Sequence, residues 1–325
     1  MEKDILPVVD PLPREQIISE LTKDKLLRKT NNGNNEVYVF TSRNAPSLMH
    51  EVGRIREITF RYAGGGTGKA IDIDEYDTDP DNPQQQLIVW DPDNREIIGG
   101  YRFFFFREPC EKCDLTRLAS SAYFDFSDKF RTKYLPHLME LGRSFVHPDY
   151  QSTKMGRKSL YALDNLWDGL GAIIMENHSI RYLFGKVTMY PQFDKRARSM
   201  ILYFLKHHFG DPENLVTVKE PADIDLLEDE MKRLFTGRTY KENYKILSQE
   251  VRRLNENIPP LINAYMNLSP TMKTFGTFIN HKFGGVEETG IMITLKDIYV
   301  EKINRHLASY KKDFLISWFS RHSHQ

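Results

Sequence analysis

MELGRSFVHPDYQSTKMGRK, residues 139–158, opens as an apolar run broken by Glu140 and Arg143, passes a His-Pro turn and ends in a basic segment around Gly156. The run HLMELGRSFV (137–146) has the length and composition of a buried strand, and RKSLYALDNLWDGLGAIIMEN beyond the loop has helical periodicity. In a regular strand Glu140 and Arg143 point to opposite faces, because side chains alternate with a period of two. Gly142 between them tolerates a β-bulge, which re-aims side chains and leaves backbone N–H and C=O groups unpaired, free to meet an extended ligand. Backbone amides near Gly156 and the start of the next helix can meet phosphate oxygens, helped by Lys154, Arg157 and Lys158. Such a strand and helix start fit a phosphopantetheine arm. The bland alternative is an ordinary strand-helix unit whose helix happens to begin with basic residues.

Upstream, EVYVFTS (36–42) alternates like a strand and APSLMHEVGRIREITFRY (45–62) carries apolar residues at helical spacing. QLIVWD (86–91) and EIIGGYRFFFF (96–106) flank a turn and read as an antiparallel hairpin. Downstream, RYLFGKVTMY (181–190) reads as a strand and DKRARSMILYFLKHHFG (194–210) as a helix stopped by Gly210. PPLINAYMNL and ETGIMITLKD read as two late strands. The order predicts an α/β (α+β) fold with a mixed, mostly antiparallel central sheet flanked by helices. Four segments are expected: an N-terminal arm (1–34), the core (35–210), a charged helical insertion (211–257), and C-terminal strands with a terminal helix (258–325).

The 325 residues are 40% hydrophobic and carry a formal net charge of +0, enough for a sizeable core and too balanced for a general attraction to nucleic acid or anionic membrane. The N-terminus MEKDILPVVDPLPREQ lacks a basic segment followed by an apolar core, and no run of about 18 apolar residues occurs. A cytoplasmic protein is expected. Two cysteines, Cys110 and Cys113, fit a reducing compartment and read as free thiols, since a structural zinc site needs four ligands.

AGGGTGKA (63–70) imitates a phosphate-binding loop, but it begins and ends in alanine and follows a helix, so it reads as a flexible loop beside the site. The acids Asp72, Asp74, Glu75, Asp77, Asp79 and Asp81 are by charge patterning a solvated loop; the functional alternative is a pocket for a substrate ammonium. Arg102 lies in an apolar strand, where a guanidinium demands an acid partner.

The blocks IREITFRY, DIDEYD, QLIVWD, IIGGYRFF, YFDFS, MELGRSFVHPDY, LWDGLG and IRYLFGKVTMYP together resemble the ornithine-lipid-type, hemolysin-labelled N-acyltransferases of the GNAT superfamily, akin to acyl-homoserine lactone synthases. The likeness spans about residues 36–210. It implies transfer of a fatty acyl group, commonly 3-hydroxylated, from acyl carrier protein to the α-amine of glycine or ornithine, giving an aminolipid precursor. By position it implies Glu140 as general base with Arg143 as its partner, and Arg102, Asp72, Asp74 and Asp77 on the acceptor side. It implies Phe145, Val146, Lys154, Gly156, Arg157 and Lys158 around the donor, an acyl-phosphopantetheine on carrier protein or coenzyme A. No metal and no tightly bound cofactor are expected. The superfamily's pyrophosphate loop carries two small residues where this chain has a single glycine in QSTKMGRK, which favours carrier protein as donor. The rivals are a coenzyme A-dependent acetyltransferase for a small amine and a non-catalytic acyl-binding protein. The terminal segment LKDIYVEKINRHLASYKKDFLISWFSRH mixes basic and apolar residues, and reads either as a peripheral membrane contact or as a helix packed on the core.

Overall fold

A computed structural model describes residues 5–106, 113–151, 157–306 and 310, with only the backbone for 157–160. The chain forms two compact units, Met1–Phe105 with Met139–Ile180 and Tyr299–Gln325, and Phe106–Leu138 with Arg181–Ile298.

In the first unit, Leu26–Lys29, Glu36–Phe40, Gln85–Asp91, Glu96–Phe105 and Leu138–Val146 lie side by side in sequence order, each antiparallel to its neighbour. Alternation assigns the two faces. A Cβ on Gly169, in the helix Arg157–Glu176, would come within 2.8 Å of Leu87 and Val37, so that helix lies close against the Leu87 face. Gln86 points the other way, to Arg56 of the helix Pro46–Tyr62. The two helices therefore cover opposite faces of this sheet. Helix Pro46–Tyr62 starts on a proline at its first turn, where a missing N–H costs nothing. It buries Leu48, Met49, Val52, Ile55 and Phe60, but also the charged Glu51, Arg54, Arg56 and Glu57.

In the second unit, Val286–Thr294 pairs antiparallel with Tyr182–Met189 on one side and Lys273–Asn280 on the other. Phe124–Phe126 pairs with Val216–Val218. Helices Lys195–Phe209 and Tyr240–Arg253 are the longest here, the second opened by a capping box from Thr239 and Glu242.

The mixed, mostly antiparallel sheet with flanking helices is as the sequence predicts, and most elements fall within two residues of expectation. PPLINAYMNL is an exception. Pro260–Met266 is helical, because Pro259 and Pro260 occupy the cap and first turn, where proline is pre-organised for a helix. The late strand is instead Lys273–Asn280. The arm, too, contributes a strand, Leu26–Lys29, and a helix, Arg14–Glu20. Residues 300–306 and 310 are helical, and the rest of the terminal segment lies outside the described residues.

Candidate active site

The expected bulge exists, one residue beyond the glycine. Arg102 sits opposite Gly142 and Gly100 opposite Phe145, so two steps on one strand match three on the other. Arg143 takes the extra step with φ +50°, a left-handed conformation that costs a residue with a side chain roughly 1–2 kcal/mol. Its guanidinium is put to use. Nε lies 2.9 Å from Asp72 Oδ2 and Nη2 lies 3.2 Å from Asp74 Oδ2. Gly142 keeps a negative φ and contributes room instead, since a Cβ added there would meet no atom within 4 Å.

Glu140 is opposite Phe104, two residues from Arg102 on the neighbouring strand, so Glu140, Gly142 and Arg102 share one face. Glu140 is nearly buried, with 5% of its surface exposed. The open space above Gly142 thus lies between a buried carboxylate and a buried guanidinium.

Behind it the charges are layered. Arg102 Nη1 bonds Asp74 Oδ1 and lies 3.2 Å from Asp77 Oδ2. Asp77 accepts from Arg56 Nη1 at 3.2 Å with both oxygens and from Gln86 Nε2 at 2.9 Å, while Arg56 Nη2 donates to Gln86 Oε1. Asp74 caps the one-turn helix Glu75–Thr78, accepting from the amides of Tyr76 and Asp77, and Asp77 returns the bond to the Asp74 amide. The solvated-loop reading therefore fails for Asp72, Asp74 and Asp77, which face inward. It holds for Asp81, which is exposed.

Arg56, Arg102 and Arg143 formally balance Asp72, Asp74 and Asp77. Balance is what burial requires, because an unpaired charge in a low dielectric costs several kcal/mol. Burial pushes the Asp77 carboxyl upward, but Arg56 and Arg102 outweigh it and hold the group well below the usual range. For Asp72 burial wins over Arg143 and Arg56, and the carboxyl is raised. Burial lowers Arg102, and the carboxylates of Asp77 and Asp74 more than restore it. Among the described residues, no group of histidine, cysteine, aspartate or glutamate is placed to hold a metal ion.

The glycine-rich loop after helix Pro46–Tyr62 is occupied from within. The buried Glu57 carboxylate accepts from Thr67 N at 3.1 Å, Thr67 Oγ1 at 2.7 Å and Gly68 N at 2.8 Å, and from Arg61 Nε at 2.8 Å. Amides that a phosphate-binding loop would offer to a ligand serve here as a side-chain cap. At the positions expected around the donor, Phe145 is buried against Gly100, whose Cβ would come within 2.9 Å of the ring, and Val146 pairs with Gly99. Arg157 and Lys158 open the helix Arg157–Glu176, while Lys154 and Gly156 lie outside the described residues. Cys113 is disulfide-bonded, which corrects the free-thiol reading at that position; Cys110 lies outside the described residues.

The family described as Acetyltransferase (GNAT) domain matches residues 55–159, from the helix beside Arg56 to the start of the helix Arg157–Glu176. A glycine N(alpha)-acyltransferase from Bacteroides thetaiotaomicron is 53% identical over 304 residues, covering 93% of this chain and 90% of the relative. The chain belongs to the GNAT N-acyltransferases. An L-ornithine N(alpha)-acyltransferase from Brucella abortus is 26% identical to this N-acyltransferase, over 74% of each chain. Among solved structures, the acyl-homoserine lactone synthase LasI matches 47% of this chain and 72% of its own, at 18% identity and a TM-score of 0.30.

Arg56, Gln86, Tyr76 and Glu57 of this N-acyltransferase are absent from the sequence-based set. A signal for Arg56 was available: Met49, Val52, Arg56 and Phe60 fall on one helical stripe, and a charge in line with buried apolar residues announces a buried partner. No helix among the described residues is long and apolar enough to cross a membrane.

Proposed function

We propose that this N-acyltransferase moves a fatty acyl group, of the 3-hydroxylated class, from the phosphopantetheine thioester of acyl carrier protein to the α-amine of glycine. The observation that carries the site assignment is the open space above Gly142, bounded on one sheet face by Glu140 and Arg102 and bordered by the bulge at Arg143. The glycine acceptor is supported by the relative that matches nearly the whole chain. In the proposed reaction the Glu140 carboxylate takes a proton from the acceptor ammonium. The freed amine attacks the thioester carbonyl, forming the C–N bond and an oxyanion that strand backbone amides can stabilise. Collapse breaks the C–S bond, and the pantetheine sulfur leaves as a thiol with the proton released from nitrogen. Arg143, held by Asp72 and Asp74, orients the acidic loop against the strand or meets the acceptor carboxylate. Phe145 and Val146 line the pantetheine arm, with Lys154, Gly156, Arg157 and Lys158 at its phosphate. The product is amphiphilic, which fits a peripheral membrane contact through the terminal segment.

The test is direct. Purified protein is mixed with 3-hydroxyacyl carrier protein or the matching acyl coenzyme A and a panel of amino acids, and products are identified by mass. N-acylglycine from the carrier-protein donor is expected. Product from ornithine alone would overturn the acceptor, and turnover of coenzyme A thioesters alone would overturn the donor.

A further inference from the structure

Tyr76 is used by nothing described so far, yet its position is tightly fixed. Its amide donates to Asp74 Oδ1 at 3.0 Å, its carbonyl accepts from Gln84 N at 2.8 Å, and it sits in a one-turn helix closed by a reciprocal capping box. The Arg102 guanidinium carbon lies 5.5 Å from the centre of its ring, a cation–π contact, and Arg102 is itself pinned by the Asp74 and Asp77 that flank Tyr76 in sequence. Arg102, Gly142 and Glu140 share one sheet face, and the Tyr76 ring rests on the Arg102 guanidinium that projects from it. Tyr76 is half-buried, so part of it meets solvent. An electrostatic sign agrees with that placement: burial raises the phenol, and the Glu75, Glu140 and Asp74 carboxylates push the same way. The hydroxyl therefore stays protonated at neutral pH, and the ring is a neutral surface set among charges.

We propose that Tyr76 is a specificity-determining residue, its ring forming the wall beside Glu140 that limits the side chain of the acceptor amino acid. This rests on the reading of glycine as acceptor. Glycine presents only hydrogens at Cα, and an amine brought to Glu140 with its carbon against the ring leaves no room for a larger substituent. The wall rests on an arginine held by the aspartates that balance the site, and its backbone is fixed by the capping box around it.

The proposal is tested by kcat/KM for glycine, alanine and serine with one acyl donor, in the unsubstituted chain, Tyr76→Phe and Tyr76→Ala, with Tyr76→Leu as a second truncation should the alanine variant not fold. One methylene in a pocket is discriminated by about 10–200-fold, so Tyr76→Ala should raise the alanine-to-glycine ratio at least tenfold, through KM for alanine. Tyr76→Phe keeps the ring and should leave that ratio within about twofold. A ratio unchanged in the folded truncations, or shifted as much by Tyr76→Phe as by Tyr76→Ala, would overturn the wall. The two readings fail separately: absence of glycine turnover in the unsubstituted chain defeats the acceptor assignment, and an unchanged ratio defeats the wall.

Discussion

The sheet face around Arg102 and the interior of the second unit are opposite solutions to burial. Around Arg102 the space is filled by guanidinium and carboxylate groups, with Arg56 and Asp77 fully buried. In the second unit Phe184 packs against Phe124, Phe126, Phe130 and Phe275, with ring centres 5.8–5.9 Å apart, and Gly290 leaves room for the Phe124 ring. Apolar rings need no particular partner, whereas a buried ion needs its counter-ion in place. In the proposed reaction the charged face ties stability and chemistry together, whereas the aromatic interior is assigned no part in it.

The comparison is sharpened most by Glu140→Gln, which should lower kcat/KM by about 10²–10⁴-fold while the melting temperature holds, as expected for a lost general base. Normal turnover in that variant would detach the charged face from the chemistry. Asp77→Ala takes the buried Arg56 from its ion-pair partner and leaves Arg102 with Asp74, and chemical denaturation should register a loss of about 3–5 kcal/mol together with activity. Phe184→Ala should cost about 3–5 kcal/mol as well, through a cavity, but acyl transfer per folded molecule should persist. Equal loss of specific activity in both would break the distinction. The smallest effect concerns His147, whose imidazole is lowered by burial and by Arg54 and Arg14, against the pull of Asp149. A depressed folded pKa means that its contribution is complete above the unfolded value of about 6.5 and is lost as pH falls below it. Melting curves between pH 7 and pH 5 should therefore fall less steeply for His147→Gln than for the unsubstituted chain.

Much of this was legible in sequence because strands and amphipathic helices announce themselves by period. The hairpin Gln85–Asp91 with Glu96–Phe105 and the strand Leu138–Val146 are examples. Arg102, Glu140 and Arg143 were legible for the opposite reason, as charges placed where apolar residues belong. Charge patterning could not tell Asp74 and Asp77 from surface acids and only the family likeness marked them, because it is the fold that turns their loop inward to meet arginines from three other elements. Lys273–Asn280 was hidden by its glycine, which takes φ +83° and sits where the pairing with Val286–Thr294 slips register. Glu57 carried no signal of its own, since two of its partners are backbone amides of a loop, which no side-chain pattern records.

Arg143 has a consequence for how this protein tolerates change. Its backbone favours glycine, and its side chain is irreplaceable by anything short of another guanidinium. Backbone and side chain thus pull in opposite directions at that position: glycine would relieve about 1–2 kcal/mol of strain, but losing the guanidinium would take the ion-pair partner from the buried Asp72, at a cost of several kcal/mol. A library selected for expression alone should therefore keep the strained arginine, with Arg143→Gly surviving only beside a second change that removes the Asp72 charge.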